Sequence, residues 1–217
     1  MFDKVYSYSD ITESIIDYFI KTYKPKTVLI PCYTYSFTQS GIYHNTHSKS
    51  EVGRFSEEAR LLGYPRTNDP IFSFLDVNNF LRGKKIDYTI AFGDGSIFEY
   101  FHKEDAIILN IDLDSFIATQ RHYVEHFYDV DYRYNKYFSG VIYSNDVDYK
   151  HVNYKYYVRD LDKQTNGNLK KINDDLKKEA ILKTHYNNDL KISWLKCRPY
   201  LEFFKLKMEA DNNYHIT

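Results

Sequence analysis

Cysteine is scarce: the 217 residues contain two, Cys32 and Cys197. Two thiols cannot form a disulfide framework, which excludes the small stapled secreted folds and makes a reducing cytoplasm the expected compartment. An excess of charge of either sign is also missing. Lys and Arg total 29 against 30 Asp and Glu, a formal net charge of −1. Such a balance gives no electrostatic case for nucleic acid or for an anionic membrane surface. No run of about eighteen apolar residues occurs and no basic leader precedes an apolar core, so neither a membrane span nor a signal peptide is expected. No repeat, low-complexity tract or linker-like run breaks the chain, and one domain over residues 1–217 is expected, long enough to bury a substantial core.

Tyrosine is abundant, with 23 residues, and aromatics reach 18%. Tyrosine suits surfaces that bind polyhydroxylated ligands, because it offers an apolar face and a hydroxyl. The chain is also rich in Asn, Lys and Ile, so compositional bias accounts for most of it.

The stretch Ser115–Lys136 carries the most chemistry. Phe116, Ile117, Ala118, Val124 and Phe127 share an apolar side at helical spacing, and the segment from Asp131 reads as extended. On a helix His122 and Glu125 sit one turn apart on the same face, with Thr119 one turn before. A carboxylate beside an imidazole orients the ring and stabilises its protonated form, as a general base requires. Three readings compete at this point. One is an amphipathic helix with satisfied surface histidines. The second is a zinc hydrolase, since His122-Tyr-Val-Glu125-His126 matches H-x-x-E-H. The third is acyl transfer with His122 as the base.

The rest of the chain has an α/β rhythm. Ser9–Glu13 reads as a capped helix start with Ile11, Ile15, Ile16 and Phe19 as its stripe, stopped at Lys24-Pro25; residues 1–9 before it read as a short strand or tail. Thr27–Pro31 reads as a buried strand, and a short helix runs from Arg54 to Leu62. Cys32 at the strand end is either a nucleophile or, preferably, a small buried apolar residue. His44-Asn-Thr-His47 has the spacing of a metal pair but lies in a polar loop with no acid at ligand spacing. Arg66 precedes the Pro70 turn, where its planar fork suits an anion or a pair with Asp69. Asn78–Leu81 reads as a short helix and Tyr88–Phe92 as a strand. Phe92-Gly-Asp-Gly-Ser96 opens a helical turn, an arrangement that lets backbone N–H groups approach a phosphate. Ala106–Ile111 is read as the clearest buried strand, with His122 near the carboxyl end of a central strand. Gly140–Tyr143 and Tyr154–Val158 read as strands, Asn168–Lys178 as an amphipathic helix, and Trp194–Met208 as a closing helix around Pro199.

In order, Leu29-Ile-Pro-Cys-Tyr-Thr-Tyr35, Ser50-Glu-Val-Gly53, Arg66-Thr-Asn-Asp-Pro-Ile-Phe-Ser73, Phe92-Gly-Asp-Gly-Ser96, Thr119-Gln-Arg-His-Tyr-Val-Glu125 and Tyr132-Arg-Tyr134 resemble the aminoglycoside 3-N-acetyltransferase family. The resemblance implies a layered α/β sandwich with a central, mostly parallel sheet flanked by helices and a smaller tyrosine-rich sheet. It implies acetyl-CoA as cosubstrate, no metal, and transfer to the amine of an amino sugar, with His122, Glu125 and Thr119 catalytic. Arg66, Gly93, Gly95, Ser96, Tyr33 and Thr34 are then expected at the coenzyme, and Asp69, Tyr35, Arg133 and Asp114 at the acceptor. The sequence does not decide the oligomeric state, and a homodimer is one option.

Two departures stand out. The family's S-x-H-P reads Thr67-Asn-Asp69-Pro70, as in members encoded with surface-polysaccharide genes, so a nucleotide-linked amino sugar is expected ahead of an aminoglycoside. The amino-terminal strand and loop read as shortened, with Tyr6–Ser9 as the remnant, which keeps a catalytically silent sugar- or nucleotide-binding relative as the alternative.

Overall fold

A computed structural model describes residues 6–163, 167–187, 189–214 and 216; of the strand or tail expected at residues 1–9, residues 1–5 lie outside them. The chain forms two compact units. One gathers the residues up to Ala91 with Tyr137–Lys155, and the other gathers Phe92–Lys136 with the residues from Tyr156 on.

The first unit opens with helix α1, Tyr8–Tyr23. Its start lies just before the expected one, because Ser7 rather than Ser9 is the cap. The Ser7 hydroxyl accepts from the Asp10 N–H while the Asp10 carboxylate accepts from the Ser7 N–H. Lys24, left-handed at φ 46°, ends it just before Pro25. Strand β1, Leu29–Pro31, follows, then α2, Phe37–Ser40, β2, Ile42–His44, α3, Arg54–Leu61, and β3, Phe74–Asp76. β1 pairs antiparallel with β3, Ile30 facing Leu75. Ile16, Ile30, Cys32, Ala59 and Leu75 close the core here, with Phe55 and Leu62 against it. The expected helix at Asn78–Leu81 is a set of turns, and Tyr88–Phe92 contributes a single bridge, Ile90 to Lys155, instead of a strand.

The second unit holds α4, Ile97–Lys103, β4, Ile107–Ile111, and α5, Gln120–Phe127. Two long strands then cross the unit boundary, β5, Arg133–Tyr143, and β6, Tyr149–Arg159. The chain ends with α6, Leu169–Lys178, the hairpin β7, Lys183–Asn187, and β8, Leu190–Lys196, and α7, Cys197–Ala210. Helix α7 packs on α4 and α5, and Tyr200, Phe203 and Phe204 from it are buried. No helix among the described residues is long and apolar enough to cross a membrane.

The mixed α/β class of the resemblance is present, but its strand directions differ from the mostly parallel sheet expected. β2 runs parallel to β5 in the order β2-β5-β6, whereas β4-β8-β7 pairs antiparallel throughout. The tyrosine-rich sheet is the one containing β5 and β6. β4 is an edge strand with Ile107 61% exposed, not the central strand expected, because the polar hairpin β7–β8 pairs along one side only. That hairpin also takes Trp194, so the closing helix starts at Cys197.

Candidate active site

Helix α5 sets the site in the second unit. Its spacing places His122 and Glu125 on one face, and His122 Nδ1 lies 2.7 Å from Glu125 Oε2. A carboxylate only accepts, so Nδ1 carries the ring proton and Nε2 keeps the lone pair. Nε2 makes no hydrogen bond among the described residues, and the His122 side chain is 23% exposed. Burial is the main cause that pushes the imidazole below its usual pKa; Glu125 opposes it, while Arg133 and Arg121 add to it.

Glu125 is buried at 1% exposure. Arg121 Nε stands 3.3 Å from Oε1, and Arg133 Nε, from the first residue of β5, stands 2.5 Å from Oε2. Phe92 and the His122 ring pack in a T-shaped arrangement, with centroids 6.0 Å apart. Thr119 is the N-cap residue of α5, but its side chain makes no cap hydrogen bond. His126 packs edge-on against Tyr157 at 5.0 Å and sits under Gly93, where a Cβ would come 3.2 Å from its Cε1. In the zinc reading Glu125 would be free to act as base between two histidine ligands. Here it is enclosed by His122 and two guanidiniums.

The anion cradle expected at Gly93–Ser96 is already filled. Gly95 N–H donates to Glu99 Oε2 at 2.8 Å, and Ser96 Oγ accepts from Glu99 N–H as the cap of α4. Glu99 thus occupies the Gly95 amide, and the Ser96 N–H donates to the Gly93 carbonyl, so neither is open to a phosphate. Asp114 is exposed, and its backbone carbonyl accepts from Lys191 Nζ at 2.6 Å.

The remaining expected residues belong to the first unit. Arg66 is 8% exposed and directs every N–H inward. Nε donates to Ser73 Oγ, Nη1 to the Asn45 and Ser48 carbonyls, and Nη2 to the Cys32 carbonyl and Thr34 Oγ1. No donor is left for a coenzyme phosphate or for Asp69, which corrects both expectations for Arg66. Thr34 and Tyr33 are buried, at 3% and 4%, while Tyr35 is exposed. Asp69 is fully buried: Oδ1 accepts from the Ile71 and Phe72 N–H groups and Oδ2 from Tyr154 at 3.1 Å. It shapes the Pro70 turn instead of facing an acceptor. Burial pushes its carboxyl up to about 7. Burial likewise raises the Cys32 thiol, in line with the apolar reading of that residue.

His44 and His47 do find an acid, although not at ligand spacing: both Nε2 atoms lie 3.1 Å from Asp146 Oδ1. His44 Nδ1 accepts from the Thr46 and His47 N–H groups, so the ring proton is on Nε2. With its proton on Nε2, His44 faces Asp146 without a directed hydrogen bond and has no lone pair on that nitrogen for a cation.

The family model for aminoglycoside 3-N-acetyltransferases matches residues 23–209. Among solved structures, the aminoglycoside acetyltransferase AAC(3)-Xa superposes with a TM-score of 0.71 at 15% identity, over 95% of this chain and 81% of its own. AAC-IIIb in its binary complex with CoASH gives 0.69 at 13%, over 92% and 83%. AAC-VIa bound to sisomicin gives 0.68 at 14%, over 96% and 87%. No curated protein sequence matches the chain. The likenesses show a shared fold, and the model spans most of the chain: it belongs to the aminoglycoside 3-N-acetyltransferase family, whose enzymes transfer an acyl group to an amine.

Proposed function

We propose that the protein transfers the acetyl group of acetyl-CoA to an amine of an aminoglycoside-type amino sugar, with His122 as general base and Glu125 orienting it. The observation that carries this reading is the 2.7 Å contact from His122 Nδ1 to Glu125, which leaves Nε2 as the lone-pair nitrogen. An amine attacks a thioester only through its own lone pair. His122 Nε2 takes the proton as the amine nitrogen bonds to the carbonyl carbon. The tetrahedral intermediate collapses, the C–S bond breaks, and coenzyme A leaves as a thiolate that takes up a proton.

The solved neighbours support both reactants, since AAC-IIIb is a complex with CoASH and AAC-VIa holds sisomicin. The choice of acceptor rests on charge. A nucleotide-linked sugar brings a diphosphate, yet Arg121 and Arg133, two of the residues suited to it, are both paired with Glu125. A polycationic acceptor needs no such donors and is drawn to acidic groups such as the exposed Asp114.

The test is thiol release from acetyl-CoA, wild type beside His122→Ala, against aminoglycosides and nucleotide-linked amino sugars. Turnover with an aminoglycoside that the substitution abolishes is expected. Turnover only with a nucleotide-linked sugar would overturn the acceptor, and coenzyme binding without turnover on any acceptor would leave a silent relative.

A further inference from the structure

Glu125 carries more positive charge around it than an orienting carboxylate needs. His122 Nδ1 and Arg133 Nε share Oε2, at 2.7 and 2.5 Å, and Arg121 Nε stands 3.3 Å from Oε1. Neither Nε makes a directed hydrogen bond, so both guanidiniums act on the carboxylate chiefly as charges. Arg121 comes with the helix, four residues before Glu125. Arg133 does not: it arrives from β5, is tethered by an Nη1 donation to the Tyr157 carbonyl at 3.3 Å, and has a side chain only 12% exposed. Burying a long cation against a carboxylate costs desolvation that only close pairing and satisfied donors offset.

A lone buried carboxylate beside an imidazole would favour the imidazolium, and a base that is already protonated cannot accept the amine's proton. We infer that Arg133 is a positioning residue of the acetyl-transfer dyad, holding Glu125 in place and offsetting its charge so that His122 keeps Nε2 as a free base. This rests on the function proposed above.

The groups around the pair are consistent with that division of labour. From α5 come Arg121, Glu125 and the His126 ring; from β5, Arg133; from the turn before it, Tyr132; from β6, Tyr157; and from α7, Tyr200. Burial, reinforced by Glu125, raises all three tyrosine hydroxyls, so they stay neutral. The charges acting on His122 are therefore Glu125, which raises its proton affinity, and Arg133 and Arg121, which lower it.

The experiment reads His122 directly, by NMR titration of its ring in histidine-labelled protein, assigned with His122→Ala, alongside the pH profile of kcat/KM. In Arg133→Gln the titration midpoint and the acid limb should both move up, with KM for the acceptor little changed. Arg133→Lys, which keeps the charge but retracts it from Oε2, should move them less, and it decides the matter alone should the Gln variant fail to fold. Midpoints that stay at the wild-type position in both variants would overturn the inference, as would a loss confined to acceptor KM. Retained activity in His122→Ala would instead overturn the proposed function while leaving the titration shift readable.

Discussion

His122 and Glu125 lie one helical turn apart on α5, joined at 2.7 Å, and the carboxylate of the pair is the more deeply buried member. The orienting group is thus fixed by its surroundings, while the base keeps a solvent-facing remainder.

Because the pair acts as one unit, its losses should not add. His122→Ala is expected to lower kcat by about 10²–10⁴-fold. The double variant with Glu125→Gln should lose little more than His122→Ala alone. Steady-state kinetics on the three proteins checks this; additive losses would mean the residues act separately.

Burial lowers the His122 pKa, so the acid limb of kcat/KM should fall below the ordinary histidine value of about 6.5. The same shift bears on stability with a definite sign. Between the folded and unfolded values the unfolded chain binds more protons, so this group's contribution rises with pH and is lost as pH falls through that window. Urea unfolding across pH 5–8 should show the wild type losing stability relative to His122→Gln as pH falls, with a constant difference on the alkaline side.

Asp69 works in the opposite sense. Its carboxyl is pushed up to about 7, above the unfolded value of 3.8, so the folded state binds the extra proton and its stability declines as pH rises from about 4 through 7. Asp69→Asn keeps an oxygen to accept from Ile71 and Phe72 and abolishes the titration. Relative to wild type it should gain on the order of 2–4 kcal/mol between pH 4 and pH 8. A pH-independent difference in melting would refute the assignment.

Arg66→Lys should destabilise the protein by about 2–4 kcal/mol, because a compact ammonium cannot reach acceptors arranged for a planar fork and leaves buried oxygens unpaired. Chemical denaturation measures it. A neutral outcome would show that those oxygens find other donors.

Much of this was legible in the sequence where one local rule decided the outcome. The His122–Glu125 contact follows from helical spacing, the start of α4 from Ser96 before Ile97, and α6 from the stripe at Leu169, Ile172 and Leu176. Failures came where distant partners decided. Leu190-Lys-Ile-Ser-Trp194 alternates apolar and polar residues, but its partner β7, Lys183–Asn187, has no apolar face, so the hairpin was not recognised and with it went the edge position of β4. The pairing of Arg133 with Glu125 was not legible, because the two lie on different elements. Glu99 gave no sign that it would fill the glycine turn four residues behind it, although an acid in the first turn of a helix is the available signal.

Arg66 has one more consequence. Its five donors meet oxygens at residues 32, 34, 45, 48 and 73, none of them anionic. The peptide here does what solvent does for an ion in water: it forms a closed hydration shell, one built of three carbonyls and two hydroxyls instead of mobile molecules. Segments that solvate a common ion cannot be remodelled one at a time. A shortened or replaced Asn45–Ser48 loop would strip part of that shell and disturb Cys32 and Ser73 as well, so grafting loops between relatives in this region should succeed only when all three segments travel together.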